Sequence, residues 1–275
     1  MKKVLVFLLI LVIIGLALVI FATSQGYFDP SGGKIFVSGP APEQRELLVG
    51  QLKEIETRED TLDALAYAQT QNADTVGWLR VPGTDISNSV LQSYNNVYYL
   101  RLNENKQEDI YGCYFADYEG SLGDRAIMSQ NTIIYGHSDL KDNPQGPRFS
   151  QLFHFTDEAF ARSTPYIHFS TLEEQMVWQV FAVSYADVGF DYIRPNLTGA
   201  EVTALANEAR ARSIYNYDVE VGPQDKLLTL STCTVHFGER GDIRFIIMAR
   251  LVEADTPLDP EASFTINPNP QQPRL

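Results

Sequence analysis

Lys226-Leu-Leu-Thr-Leu-Ser-Thr-Cys-Thr234 alternates along its length, with Leu228 and Leu230 on one side and Leu227, Thr229 and Ser231 on the other. A period of two predicts a β-strand with one apolar and one hydroxyl-bearing face. Cys233 continues the hydroxyl face to the point where the strand stops. The next residues, 235–243, are rich in glycine and charge, and Arg244 to Val252 (RFIIMARLV) is again strand-like. Strand, loop and strand predict a hairpin, whose closing ends bring Arg244 near Cys233. A cation beside a thiol stabilises the thiolate, which is the nucleophilic form.

A thiolate nucleophile also needs a proton carrier, and the chain has four histidines. His137 ends Asn131-Thr-Ile-Ile-Tyr-Gly-His137, a second short hydrophobic run that closes on a reactive side chain. His236, three residues past the cysteine, competes with it. His154, between two phenylalanines, and His168, in Tyr-Ile-His-Phe, read as packing positions. Taken in order, IIYGH (133–137), TLSTC (229–233) and RFIIMARL (244–251) resemble the sortases, the cysteine transpeptidases of Gram-positive cell surfaces.

Composition bounds the remaining possibilities. The 275 residues are enough for one well-buried domain with accessory segments, and 44% hydrophobic residues exclude disorder throughout. A formal charge of −14 excludes binding nucleic acid or anionic lipid through the bulk field. Lys2 and Lys3 precede the unbroken apolar run from Val4 to Phe21. A bilayer core needs about 20 such residues. The run therefore reads as a single-pass anchor with the N-terminus cytoplasmic and the rest of the chain outside. A signal peptide cleaved near Ala22 to Ser24 is the competing reading. Cys113 and Cys233 are the two cysteines. A disulfide between them would consume the nucleophile, and Cys113, in Gly-Cys-Tyr-Phe-Ala, reads as a buried strand residue.

Residues 1–25 form the cytoplasmic stub and anchor, and 26–42, rich in Gly, Pro and Ser, a linker. Residues 43–253 form the catalytic domain, with helical spacing in 43–73 and short strands between turn residues in 74–253. Eight strand-like runs predict an antiparallel-rich barrel or sandwich. Phe149 to Phe160 reads as short helical turns, and Thr198 to Ile214 as an amphipathic helix with Thr198 as its cap. The tail, 254–275, is rich in Pro, Asn and Gln and reads as disordered or loosely draped.

The inserted helix, the N-terminal helical segment, Asp74 to Thr84 and Ser213 to Val219 look like class B sortases. The resemblance spans Glu43 to Glu253. It implies a mainly β fold, an eight-stranded closed barrel with N-terminal helices and the inserted helix before the cysteine strand. It also implies Cys233 as nucleophile, His137 as general acid and base, and Arg244 as the group that positions substrate and meets the oxyanion, with Arg240 as its rival. Ser231, Thr234 and Tyr215 are the expected substrate contacts.

The implied reaction is two-step acyl transfer at the threonine carbonyl of a C-terminal Asn-Pro-x-Thr sorting motif. The acceptor is an amine of a peptidoglycan cross-bridge or its lipid-linked precursor. A pilin-polymerising sortase, a hydrolytic thiol protease and a catalytically silent wall-binding barrel stand as alternatives. The scattered histidines and the lack of regular acidic spacing give no metal or cofactor site.

Overall fold

The computed structural model describes residues 61–239 and 241–274. The apolar run, the linker, the first part of the helical segment and Arg240 lie outside the described residues. Among those described, no helix is long and apolar enough to cross a membrane.

Residues 61–71 are helical (α1) and bury Leu65. Eight strands follow as a closed barrel: β1 (Thr75–Arg80), β2 (Ser87–Leu91), β3 (Tyr114–Ala116), β4 (Asn131–Tyr135), β5 (Tyr166–Ser170), β6 (Val177–Asp187), β8 (Leu227–Cys233) and β9 (Ile243–Leu251). Around the barrel they run β1-β2-β3-β4-β8-β9-β6-β5, and β5 pairs with β1 to close it. The eight runs expected from the sequence are these eight strands. Two of the pairings, β2 with β3 and β4 with β8, are parallel.

Closure removes the exposed edges that an open sheet would leave unpaired. The interior is filled by side chains that alternate inward, among them Leu79, Val90, Ile134, Phe169, Trp178, Phe181, Leu230 and Phe245. Each aromatic or branched side chain taken fully out of water contributes about 1.5–3 kcal/mol. Trp178 is buried together with its polar edge, because its indole N–H donates to the Phe169 carbonyl at 3.0 Å.

Between β4 and β5 the chain forms a 3-10 helix, Arg148–Thr156, and then α2 (Glu158–Ser163), matching the short turns expected there. Between β6 and β8 lies α3 (Gly199–Arg212), whose cap is Thr198. The Thr198 side chain accepts from Glu201 N while the Glu201 carboxylate accepts from Thr198 N, a reciprocal capping box that satisfies two orphan donors. Val202, Leu205, Ala206 and Ala209 recur at helical spacing and are buried, and the helix packs on β6.

The tail, expected to be disordered or loosely draped, carries a short strand. Residues Phe264–Ile266 form β10, antiparallel to β7 (Tyr215–Tyr217), in a separate two-stranded sheet. Phe264 packs against Tyr215 and Tyr217, with the Arg162 guanidinium 4.2 Å from its ring centroid. Beyond β10, Asn267 N bonds Ile214 O, Gln271 N bonds Ala211 O, and Arg274 N bonds the Asp187 carboxylate. A three-residue strand held by one aromatic anchor is too short to carry a periodic signal, and the surrounding prolines mask it in composition.

Candidate active site

The β8–β9 hairpin forms in the expected register. Leu227 pairs with Arg250, and the ladder runs to its last rung at Cys233 and Arg244. Cys233 is the one exposed residue of β8. Both cysteines are free, with Cys113 buried against the barrel and Cys233 open to solvent. Burial pushes the Cys113 thiol well above the ordinary range for a thiol, which leaves it inert.

The hydroxyl face of β8 is covered. Thr229 and Ser231 are buried under the segment that links β6 to α3. Thr229 Oγ1 donates to Asn131 Oδ1 at 2.8 Å, and Asn131 Nδ2 donates onward to Tyr192 O at 2.8 Å and Arg194 O at 3.2 Å. Ser231 Oγ lies 2.9 Å from the Tyr192 hydroxyl. The hydroxyls therefore form a hydrogen-bonded layer that seats the covering segment, and only Cys233 emerges from it. A buried donor or acceptor left unpaired costs about 1–3 kcal/mol, so this layer fixes where the segment sits.

His137 reaches the same end of the barrel through the parallel β4–β8 pairing. Tyr135 aligns with Ser231, and Gly136 N extends the ladder by donating to Ser231 O at 3.3 Å. His137 and Cys233 each lie two residues beyond that last pair. Gly136 is required for this approach, since a Cβ there would lie 2.7 Å from the Phe149 ring and 2.9 Å from the Tyr114 ring. His137 Nε2 lies 2.9 Å from Leu100 O. A carbonyl only accepts, so this nitrogen carries the hydrogen and Nδ1 is the basic nitrogen of the neutral ring. Burial lowers the imidazole pKa from its ordinary 6.5. The charges of Arg101 and Arg244 lower it further, while the bond to Leu100 opposes the shift.

Arg244 is half-buried, and its Nη1 donates to Gly241 O at 2.8 Å and Ile243 O at 2.9 Å. These bonds hold the guanidinium against its own hairpin, beside the thiol-bearing strand. The rings of His236, in the loop after Cys233, and of His154 are held by aromatic stacking. The His236 ring stacks on Tyr185 with centroids 4.7 Å apart, and the His154 ring stacks on Phe160 at 5.0 Å. His168 lies in β5, opposite Arg80 of β1.

Three expected substrate contacts are placed differently. Tyr215 is buried in the β7–β10 sheet, and its hydroxyl donates to Thr156 O at 3.1 Å. Its ring is taken up by the tail strand, whose presence the sequence did not disclose. Ser231 and Thr234 are next to the nucleophile in sequence, but both are buried, and their hydroxyls are bonded to Tyr192 and to Asp142. Tyr192, Ser138 and Asp142 were missed in the sequence. Their relevance comes from long-range contacts, and the sole local hint is a run of polar residues directly after His137.

A family sequence profile described as "Sortase domain" matches residues 79–252. Sortase B of Listeria monocytogenes is 30% identical over 239 residues, covering 82% of this chain and 93% of that protein. Sortase B of Staphylococcus aureus is 28% identical over 183 residues, covering 66% of this chain and 72% of that protein. The crystal structure of sortase B from B. anthracis in complex with AAEK2 superposes with a TM-score of 0.60 at 29% identity, covering 70% of this chain and 83% of that one. The closed barrel with its exposed strand-end cysteine, the matched profile and the similarity along most of both chains agree: the chain belongs to the sortase family of cysteine transpeptidases, in its class B.

Proposed function

We propose that the chain is a membrane-anchored transpeptidase that joins secreted proteins to the cell wall, with Cys233 as nucleophile, His137 as general acid and base and Arg244 as oxyanion and substrate-positioning group. The observation that carries this reading is the pairing of Cys233 with Arg244 on the last rung of the β8–β9 hairpin, at the barrel end where β4 delivers His137.

In the first step Cys233 Sγ gives its proton to His137 Nδ1 and bonds to the threonine carbonyl carbon of an Asn-Pro-x-Thr motif near the C-terminus of a secreted protein. The carbonyl oxygen takes the negative charge beside Arg244. As the tetrahedral species collapses, the C–N bond breaks, and His137 supplies the proton that lets the downstream segment leave as an amine. A thioester remains. In the second step an amine of a peptidoglycan cross-bridge or its lipid-linked precursor attacks, His137 Nδ1 takes its proton, and the C–S bond breaks to return the thiol.

The apolar run from Val4 to Phe21, preceded by Lys2 and Lys3, anchors the chain once through the membrane with the catalytic domain outside. The test is to incubate the full chain in detergent with C-terminal motif peptides and a set of amines and to identify the products by mass spectrometry. Amide products that appear only with an amine present support transfer. A product spectrum unchanged by the amine would assign a hydrolase instead.

A further inference from the structure

Two loops leave the barrel at the Cys233 end, and they are clipped to each other beyond both reactive side chains. The first, 138–147, starts directly after His137. Its Ser138 Oγ donates to Cys233 O at 2.7 Å. Asp142, further along the same loop, accepts from Thr234 Oγ1 at 2.6 Å and from Val235 N at 3.1 and 3.0 Å on its two oxygens. Thr234 Oγ1 in turn accepts from His236 N at 3.1 Å, so the direction of the hydroxyl hydrogen toward Asp142 is set.

The other side of loop 138–147 is fixed as well. His137 O accepts from Phe149 N at 2.9 Å, Asp139 N donates to Ser150 Oγ at 2.7 Å, and Asp139 Oδ1 accepts from Asn143 N at 3.0 Å. Asp142 has a φ of +50°. A non-glycine residue occupies that left-handed region at a cost and stays there when its surroundings over-determine it. Here the determining contacts are the hydrogen bonds to residues 234 and 235, which follow Cys233.

We propose that Asp142 is a positioning residue, a clip that ties the loop bearing His137 to the chain leaving Cys233 and so fixes the reach between base and nucleophile. This rests on the reading of Cys233 and His137 given above. Without the clip the bond of Ser138 to Cys233 O remains, and the ends of β4 and β8 have one tie fewer where the chemistry occurs. A misplacement of about 1 Å between reacting groups costs on the order of a hundredfold in rate. A carboxylate suits the position because two donors converge on it, whereas a carboxamide offers one oxygen and turns its NH2 toward one of them.

The test compares Asp142→Ala, Asp142→Asn and Thr234→Val in the full chain, with Cys233→Ala and His137→Ala as controls. Asp142→Ala is expected to lower kcat about 10–100-fold with little change in KM and an unchanged melting midpoint. Asp142→Asn, which keeps one acceptor, should recover part of that loss. Thr234→Val should lower kcat less, and adding it to Asp142→Ala should bring no further drop, because both remove the same contact. A wild-type kcat in Asp142→Ala, a loss confined to KM, or a lowered melting midpoint without recovery in Asp142→Asn would overturn the positioning role. If Cys233→Ala and His137→Ala are inactive while Asp142→Ala is normal, this proposal alone fails; if either control turns over normally, the catalytic reading beneath it fails.

Discussion

Cys233 and Arg244 face each other across the last rung of the β8–β9 hairpin. Because a cross-strand pair holds its Cα atoms about 4.5–5.5 Å apart, the guanidinium starts from a fixed base next to the sulfur. Two backbone acceptors, Gly241 and Ile243, orient it further.

Replacing Arg244 with Ala should lower kcat/KM by about a hundredfold or more, the usual cost of one lost oxyanion donor. Arg244→Lys keeps the charge but loses the planar fork and should remain impaired. Steady-state transpeptidation with a motif peptide checks both. Near-normal turnover in the lysine variant would remove the role.

The lowered pKa of His137 fixes the sign of one pH effect. Between the folded value and the ordinary 6.5, the unfolded chain binds more protons at this site. Stability should therefore fall as pH drops from 6.5 through the folded value and be unaffected by this group above 6.5. His137→Gln should flatten that slope in urea unfolding followed across pH. An unchanged slope would mean the imidazole is not desolvated.

Gly136→Ala forces a methyl group into the Phe149 and Tyr114 rings. Overpacking of this kind costs about 1–3 kcal/mol. The strain falls one residue before His137, so the rate should drop along with the melting temperature. A variant that melts lower yet turns over at the wild-type rate would show that the ladder beyond Tyr135 does not set the histidine.

Truncating the chain after Ala254 strips the partner strand from β7 and the ring of Phe264 from between Tyr215, Tyr217 and Arg162. Losing that one buried aromatic alone amounts to about 1.5–3 kcal/mol. Denaturant unfolding of the truncated chain should show at least this loss. An unchanged midpoint would return the tail to the loose drape that its composition suggests.

The barrel was legible because its strands are long enough to alternate. Leu227 to Cys233 and Arg244 to Leu251 carry enough residues for a period of two to show, and glycine and charge between them mark the loop. Cys233 and His137 each follow an apolar run and Arg244 opens one, and in the structure Cys233 ends β8, Arg244 is the second residue of β9, and His137 lies two residues past β4. β7 and β10 were not legible, because each is three residues set among polar neighbours, whereas the equally short β3 lies inside the apolar run Cys113-Tyr-Phe-Ala116. The burial of Ser231 and Thr234 was equally hidden: which hydroxyls face water depends on Tyr192 and Asp142, both distant in sequence and both polar enough to pass for solvent-exposed residues. Exposure there follows contact rather than distance along the chain from the nucleophile.

β4 and β8 run side by side in the same direction, which obliges the polypeptide to traverse the barrel's whole height before it can come back alongside itself. That excursion holds β5, β6, α2 and α3, and its first stretch, 138–147, is bonded back to the end of β8 through Ser138 and Asp142. Room for lengthening or remodelling toward new cargo thus lies past that stretch, while the junction of the two strand ends is kept by bonds that such changes must spare.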